Sequence, residues 1–205
     1  MTGQSSLPGL ALPPAWFEPA VIRPGYGGPR AHKLFLAIFP DADVLRSLAP
    51  ITADLCEQSG LDTKRVVRPD RLHITLHTIG DYIDQIPLEE VDASLAAANG
   101  VVCPPLPIVF DHALSFRRSN AYVLRCDARS DATIARLRRP LTRSLKNVGL
   151  KPTPSETPHM TMQYSANRIV AEHPIPPVAW TATRFALILS HVGLTHHQWI
   201  SQWSL

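Results

Sequence analysis

Two short segments of the chain carry histidine and threonine at the same spacing. The pattern is His-x-Thr with an apolar residue in the middle, and it covers residues 73–75 and 159–161. Residues i, i+2 and i+4 of a β-strand share one face. The sequence therefore predicts two polar rows, one of His73, Thr75 and His77 and one of His159, Thr161 and Gln163.

The two motif histidines have the chemistry of a general acid–base pair. Imidazole titrates near neutral pH, so one ring can take a proton while the other donates one. Cleavage of a phosphodiester needs both transfers, one at the attacking oxygen and one at the leaving oxygen. The hydroxyls of Thr75 and Thr161 lie two residues further along each strand and are suited to hydrogen-bond phosphate oxygens.

A zinc site is the competing interpretation of these histidines. His73 and His77 are four residues apart, which places their backbones roughly 13 Å apart on a strand. No glutamate stands between them, as it does in the helical zinc-protease motif, and no cysteine is close in the sequence. We therefore predict a site without a metal and without a cofactor.

The pattern of apolar residues predicts alternating strands and helices. Strands are expected at residues 33–39, 72–79, 108–116, 121–126 and 158–164, with a closing hairpin at 185–192 and 198–205. Helices are expected after the first strand, around residues 88–95, and after residue 131, where Asp131 is the predicted N-cap.

An internal repeat links the two motifs. Four pairs of residues recur in the same order at separations of 86 to 90: Phe35 and Tyr122, Pro50 and Pro140, Gly60 and Gly149, His73 and His159. Two like strand–helix–strand units are expected to pack about a pseudo-two-fold axis. This predicts an α+β fold of two pseudo-symmetric lobes, with antiparallel sheets around a central cleft that both motifs face.

Composition limits the remaining possibilities. The chain has 205 residues, a formal charge of +3 and 45% hydrophobic residues, which fits one ordinary globular domain at residues 32–205. Residues 1–31 are rich in proline and glycine and are predicted to form an arm. No apolar run approaches the ~20 residues of a membrane span. Three widely spaced cysteines indicate a reducing compartment, so a cytoplasmic location is expected.

The sequence resembles the two-histidine (2H) phosphoesterase superfamily, most closely its bacterial 2′-5′ RNA ligase and RNA 2′,3′-cyclic phosphodiesterase branch. The resemblance covers the opening strand at residues 33–38, the lead-in at 68–72, the segments 73–76 and 157–162, and the closing hairpin. It implies a bilobal α+β fold, with His73 and His159 as the acid–base pair and Thr75 and Thr161 as phosphate ligands. The implied reaction opens a 2′,3′-cyclic phosphate to a 2′-phosphomonoester, and some members also join or cleave 2′-5′ linkages.

The resemblance implies as partner an RNA end or a nucleotide with a cyclic phosphate or a 2′-5′ linkage, and the sequence indicates no membrane or protein partner. Members often carry arginine just after the motifs, whereas here His77 and Gln163 follow, with Tyr164 next. Alternatives are therefore a 2′-5′ oligonucleotide phosphodiesterase, a non-catalytic module that binds nucleotides or RNA ends, and a metal hydrolase.

Four further residues are candidates for contact with substrate. Phe35 and Tyr122 are suited to stack on a base, and ordinary core packing is the alternative for both. His77 and Gln163 are expected to face the cleft, where His77 is suited to contact a phosphate or a ribose. A cleft-wall residue without a role is the alternative for His77. Arg71 is one of three arginines before the first motif that are candidates to guide a phosphate, together with Arg65 and Arg68.

Overall fold

The computed structural model describes residues 31–164, 166–194 and 196–205. The predicted N-terminal arm lies outside the described residues, except for Ala31, which begins the first strand rather than ending the arm. No helix in the described ranges is both long and apolar enough to cross a membrane.

Within these ranges the chain forms nine strands, three α-helices and two short 3-10 helices. The strands are β1 (Ala31–Ile38), β2 (Ile74–Ile83), β3 (Leu106–Phe116), β4 (Ala121–Cys126), β5 (Thr153–Pro154), β6 (His159–Gln163), β7 (His173–Ala182), β8 (Arg184–His191) and β9 (His196–Ser204). The helices are α1 (Ala42–Gln58), α2 (Leu88–Asn99) and α3 (Ala128–Asn147). The 3-10 helices, Thr63–Arg65 and Pro69–Arg71, lie between α1 and β2.

All nine strands belong to one antiparallel sheet. Its order is β7-β3-β4-β6-β2-β1-β8-β9, with the short β5 beside β2. Apart from β5, the sheet consists of two four-stranded halves, and the pairing of Ile74 with Met160 joins them at its centre. The α+β class and the large antiparallel sheet are confirmed, and each half corresponds to one predicted lobe.

The main core lies between the sheet and the helices. Leu34, Leu36 and Ile38 alternate along β1 and point into it, as the strand period requires. From α3, residues at helical spacing complete it: Ile134, Leu137, Leu141 and Leu145. The other face of β1 contributes Phe35 and other residues to a second, smaller apolar cluster.

Two local expectations were wrong. The N-cap of α3 is Asp127, whose carboxylate accepts a hydrogen bond from the Ser130 amide at 2.7 Å, so the helix begins one turn before Asp131. Strand β7 was not predicted, because it contains three prolines. It lies at an edge of the sheet, where a missing amide proton breaks no pairing on the outer side.

The repeat is present in the backbone pairing, at a constant separation of 86 residues. Leu36 pairs with His77 in the first half, and Tyr122 pairs with Gln163 in the second. The counterpart of Tyr122 is therefore Leu36 and not Phe35. The sequence match was displaced by one residue because Phe35 and Tyr122 are both aromatic and both lie on the first strand of a strand–helix–strand unit.

The helix that follows each motif-pairing strand ends with a glycine in the left-handed region. The φ angle is 66° at Gly60 and 86° at Gly149. A Cβ atom at Gly149 would meet no heavy atom within 4 Å, so only the backbone angle opposes a side chain there.

Gly149→Ala is expected to lower the free energy of unfolding by about 1 kcal/mol, because alanine adopts positive φ only at a cost. Gly100 is the matched control, since it also follows a helix in open space but has a φ of −89°. Urea denaturation of both variants tests this. An equal loss in Gly149→Ala and Gly100→Ala would contradict the assignment to backbone strain.

Candidate active site

The strand junction places the two motifs side by side. Ile74 and Met160 are opposite each other in the ladder, and both are fully buried in the main core. Their neighbours in the sequence therefore face the other side of the sheet. In an antiparallel register, His73 then lies across from Thr161, and Thr75 lies across from His159. One short contact between strands thus assembles two imidazoles and two hydroxyls on one surface.

Both motif histidines are held in the same tautomer. The Nδ1–H of His73 donates to the carbonyl oxygen of Arg71 at 2.6 Å. The Nδ1–H of His159 donates to the carbonyl oxygen of Thr157 at 2.7 Å. A carbonyl oxygen only accepts, so the proton of each neutral ring is on Nδ1. Each Nε2 is left to accept a proton in the neutral form and to donate one in the charged form.

His73 lies among aromatic rings. Its ring centroid is 5.1 Å from that of Phe35, 5.4 Å from that of Phe39 and 5.2 Å from that of His197. Burial lowers the pKa of His73 to about 4, and the nearby charge of Arg71 adds to this, whereas the hydrogen bond to the Arg71 carbonyl opposes it. His73 is therefore neutral at pH 7.

His159 has a different environment. Its ring packs against the ring of Phe116 in an edge-to-face arrangement, with 4.7 Å between centroids. Burial lowers the pKa of His159 as well, and the hydrogen bond to the Thr157 carbonyl opposes this shift. The two halves of the site therefore share a backbone geometry but differ in what surrounds the imidazole.

Each motif strand contains a β-bulge just after its threonine. In β2, His77 pairs with Leu36 and Thr75 pairs with Ala37, so Leu76 is the extra residue. In β6, Gln163 pairs with Tyr122 and Thr161 with Val123, so Met162 is the extra residue. A bulge reverses the alternation of side chains beyond it. Thr78 and Tyr164, five residues after each histidine, consequently line the cleft.

The prediction that His77 and Gln163 face the cleft is wrong, because both are fully buried in the core. Tyr122 is fully buried there as well, so core packing, the alternative to stacking on a base, holds for it. His77 lies in hydrogen-bonding distance of Thr142, 2.8 Å from its Nε2 to the threonine Oγ1. The Tyr122 hydroxyl lies 2.8 Å from the Ser59 hydroxyl. The rule of two-residue alternation failed for His77 and Gln163 because the bulges interrupt it. Tyr122 is buried because its strand turns that side to the helices.

The cleft beside the first motif encloses about 420 Å³. From the first half of the sheet and its loops it is lined by Lys33, Phe35, Arg71, His73, Thr75, Thr78, Ser190, Val192, Gly193 and His197, and from the second half by Tyr164. Phe35 thus lies on the predicted cleft surface, although only 3% of it is exposed. Its ring packs on His73, and its contact with a base stays a prediction.

Comparison with known proteins identifies the family. The family model described as the 2′-5′ RNA ligase superfamily matches residues 40–194. The chain belongs to this superfamily. The resemblance seen in the sequence is thereby confirmed, and the family is one of 2H phosphoesterase enzymes. No curated protein sequence matches the chain significantly.

Several solved structures have the same fold. The apo form of Escherichia coli LigT matches with a TM-score of 0.64 and 23% identity, covering 86% of this chain and 98% of LigT. LigT complexed with 3′-AMP matches with a TM-score of 0.65 and 23% identity, over 87% and 99% of the two chains. The protein TT0787 of Thermus thermophilus matches with a TM-score of 0.63 and 20% identity, over 84% and 97%.

Sequence reasoning missed several cleft residues of this superfamily member. Lys33, Ser190 and His197 come from three neighbouring strands, and only the sheet order brings them together. Tyr164 and Thr78 carried a signal, since each follows its histidine by five residues, but the bulges hid it. Of the three arginines that are candidates to guide a phosphate, Arg71 alone lines the cleft. Arg68 pairs with Asp70 at 2.8 Å.

The residues that the structure describes include no group of three or more His, Cys, Asp or Glu side chains placed to hold a metal ion. Two positively charged side chains, Lys33 and Arg71, line the cleft. Lys33 lies 3.3 Å from the Asp81 carboxylate, and the buried Nε of Arg71 has no hydrogen-bond partner.

Acid is expected to destabilise the protein through His77. Burial lowers the pKa of His77 to about 4, with the charge of Arg138 as the second cause. The unfolded chain binds this proton near pH 6.5, so the native state loses stability as the pH falls from 6.5 towards 4. Between pH 7 and pH 5, His77→Gln should lose about 2 kcal/mol less unfolding free energy than the wild type.

Thr142→Ala is the matched control, because it removes the hydrogen bond to His77 and leaves the titrating ring in place. Urea denaturation at the two pH values gives the free energies. Equal pH dependence in the wild type and His77→Gln would show that His77 does not carry the effect.

Proposed function

We propose that the protein is a metal-independent phosphodiesterase that opens 2′,3′-cyclic phosphate ends of RNA to 2′-phosphomonoesters. The observation that carries this proposal is the pair of histidines on one surface, each with its Nδ1–H bound to a backbone carbonyl and its Nε2 left for proton transfer. Membership of the 2′-5′ RNA ligase superfamily supports the same reaction class.

The reaction uses one proton transfer from each side of the phosphate. The Nε2 of one histidine takes a proton from water as the water oxygen attacks phosphorus in line. The bond from phosphorus to O3′ breaks, and the Nε2 of the other, protonated histidine gives a proton to O3′. The products are a 2′-phosphomonoester and a free 3′-hydroxyl, so the atoms of one water are added. The histidine that took a proton ends charged, and the histidine that gave one ends neutral.

Threonines and one arginine stabilise the phosphate in this scheme. The hydroxyls of Thr75 and Thr161 are placed beside the histidines by the strand register and donate hydrogen bonds to phosphoryl oxygens. Arg71 lines the cleft together with His73 and Thr75, and its positive charge offsets the negative charge that builds on these oxygens. Orientation of the water and the leaving oxygen supplies the remaining part of the rate increase.

The ligands of a relative support a nucleotide substrate. Escherichia coli LigT has been solved in complexes with 3′-AMP, ATP and NADP+. A phosphate attached to a ribose fits a cleft that has hydroxyls and a guanidinium at one end. The cytoplasmic location expected from the cysteines remains a proposal, in keeping with an RNA substrate.

Hydrolysis of a short RNA with a 2′,3′-cyclic phosphate end, with EDTA present, tests the proposal. His73→Ala and His159→Ala should each lower kcat by roughly 10²- to 10⁴-fold, because each removes one proton transfer. The matched control is His112→Ala, since His112 lies on β3 next to Asp111 and does not line the cleft.

The product distinguishes the alternatives. A 2′-phosphate that forms only with both histidines present supports the proposal. Wild-type protein that binds the cyclic end without turnover would establish a binding module instead. Turnover that EDTA abolishes and zinc restores would establish a metal hydrolase, and cleavage confined to 2′-5′ linkages would change the substrate.

The rate is expected to be greatest in mildly acidic solution. The active free enzyme has one histidine neutral and one protonated, and burial lowers the pKa of both His73 and His159. The fraction in this form falls as the pH rises above these values, so kcat/KM should peak below pH 6.5 and decline above it. A profile of kcat/KM over roughly pH 4 to 9 measures this, and a maximum above pH 7 would contradict it.

A further inference from the structure

The outer face of helix α3 carries only positive charge. The helix contains six basic residues and one acidic residue, Asp131, in a chain whose formal net charge is +3. Five of the basic residues are exposed and form what we call the basic face: Arg129, Arg136, Arg139, Arg143 and Lys146. At 3.6 residues per turn they fall within roughly 100° of one another, opposite to the apolar side chains that α3 buries in the core.

The basic face repels itself. Its four members from Arg136 onwards follow one another at separations of three or four residues, and like charges at that spacing destabilise a helix. Arg129 lies in the first turn, where the helix dipole disfavours a cation. None of the five forms a salt bridge with a residue that the structure describes, whereas four arginines elsewhere do: Arg46, Arg68, Arg125 and Arg184. An anion from outside the chain would relieve this repulsion.

The side chains of α3 favour a chain of phosphates over a membrane surface. A helix that binds an anionic membrane adds exposed apolar side chains to its cations, and these enter the lipid. The large apolar residues of α3 are all buried, and its other exposed residues are Ala128, Ala132 and Asn147. Four of the five cations are arginines, whose planar group matches phosphate oxygens. With a rise of about 1.5 Å per residue, the basic face is roughly 25 Å long, enough for several phosphates.

The basic face and the catalytic cleft lie on opposite sides of the sheet. Helix α3 packs on the side to which Ile74 and Met160 point, and the two motif histidines face the other side. A single nucleotide in the cleft therefore does not reach α3. A long RNA reaches it by passing around an edge of the sheet.

We propose that the basic face of α3 is a second RNA-binding surface, which holds the phosphate backbone of a long RNA substrate without reading its sequence. The choice of RNA among polyanions rests on the proposed function. The position and the sign of the surface do not depend on it.

Binding of an RNA without a cyclic end tests the surface separately from turnover. The probe is a single-stranded RNA of about 30 nucleotides with a plain 3′-hydroxyl, followed by fluorescence anisotropy at several salt concentrations. Arg139→Gln/Arg143→Gln should weaken binding about tenfold and reduce the slope of log K against log salt by roughly 1.4, because two phosphate contacts are lost. The matched control, Arg46→Gln/Lys64→Gln, removes two exposed positive charges outside α3 and should bind as the wild type does.

Substrate length connects the surface with the proposed reaction. On a trinucleotide with a 2′,3′-cyclic phosphate end, Arg139→Gln/Arg143→Gln should keep the wild-type kcat and KM, since this substrate does not reach α3. On the long RNA with the same end, KM should rise about tenfold and kcat should stay the same.

The other outcomes overturn the proposal. An equal loss in the two double variants would assign RNA binding to net charge, and no loss in Arg139→Gln/Arg143→Gln would show that the basic face does not bind RNA. Wild-type protein that binds vesicles of anionic phospholipid and not RNA would make the face a membrane surface. RNA binding that depends on α3, without hydrolysis of any cyclic end, would refute the proposed function and keep the surface. Hydrolysis with RNA binding that does not depend on α3 would do the reverse.

Discussion

The backbone pairing of Ile74 with Met160 is the contact on which the site depends. It is the only register position that the structure gives between β2 and β6, the central strands of the two half-sheets, within the described residues. Because both residues point into the core, the flanking histidines and threonines must share the opposite face. Two motifs that are 86 residues apart thus contribute symmetric groups to one surface. Strand pairing, and not a loop, brings them together.

Burial then determines how the assembled groups behave. Phe35, Phe39 and His197 surround the His73 ring and remove water from it, which favours the neutral imidazole. The carbonyl bonds at Nδ1 fix the ring in a defined orientation, so little reorganisation remains for a proton transfer. An anion in the cleft favours the charged form of a nearby imidazole, so in the proposed reaction an anionic substrate would help to create the acid.

The two halves are alike in backbone and unlike in surroundings. The cleft extends over β1, β8 and β9 of the first half, whereas the second half contributes Tyr164 to its wall. The His73 ring lies in a cluster of rings, whereas the His159 ring packs edge-to-face against Phe116 alone, among the aromatic contacts of the described residues. Such asymmetry suits a reaction in which two chemically identical side chains must hold different numbers of protons.

The sequence by itself determined the α+β class, most of the strands and helices, the internal repeat and the two His-x-Thr motifs, because local periodicity and residue type carry that information. It did not determine which face of the sheet the side chains after each threonine occupy. The bulges at Leu76 and Met162 arise from pairing with β1 and β4, and they turn His77 and Gln163 into the core and Thr78 and Tyr164 to the cleft. The row of Lys33, Ser190 and His197 likewise exists only in the folded sheet, since strand order and register are long-range properties that a single sequence does not display.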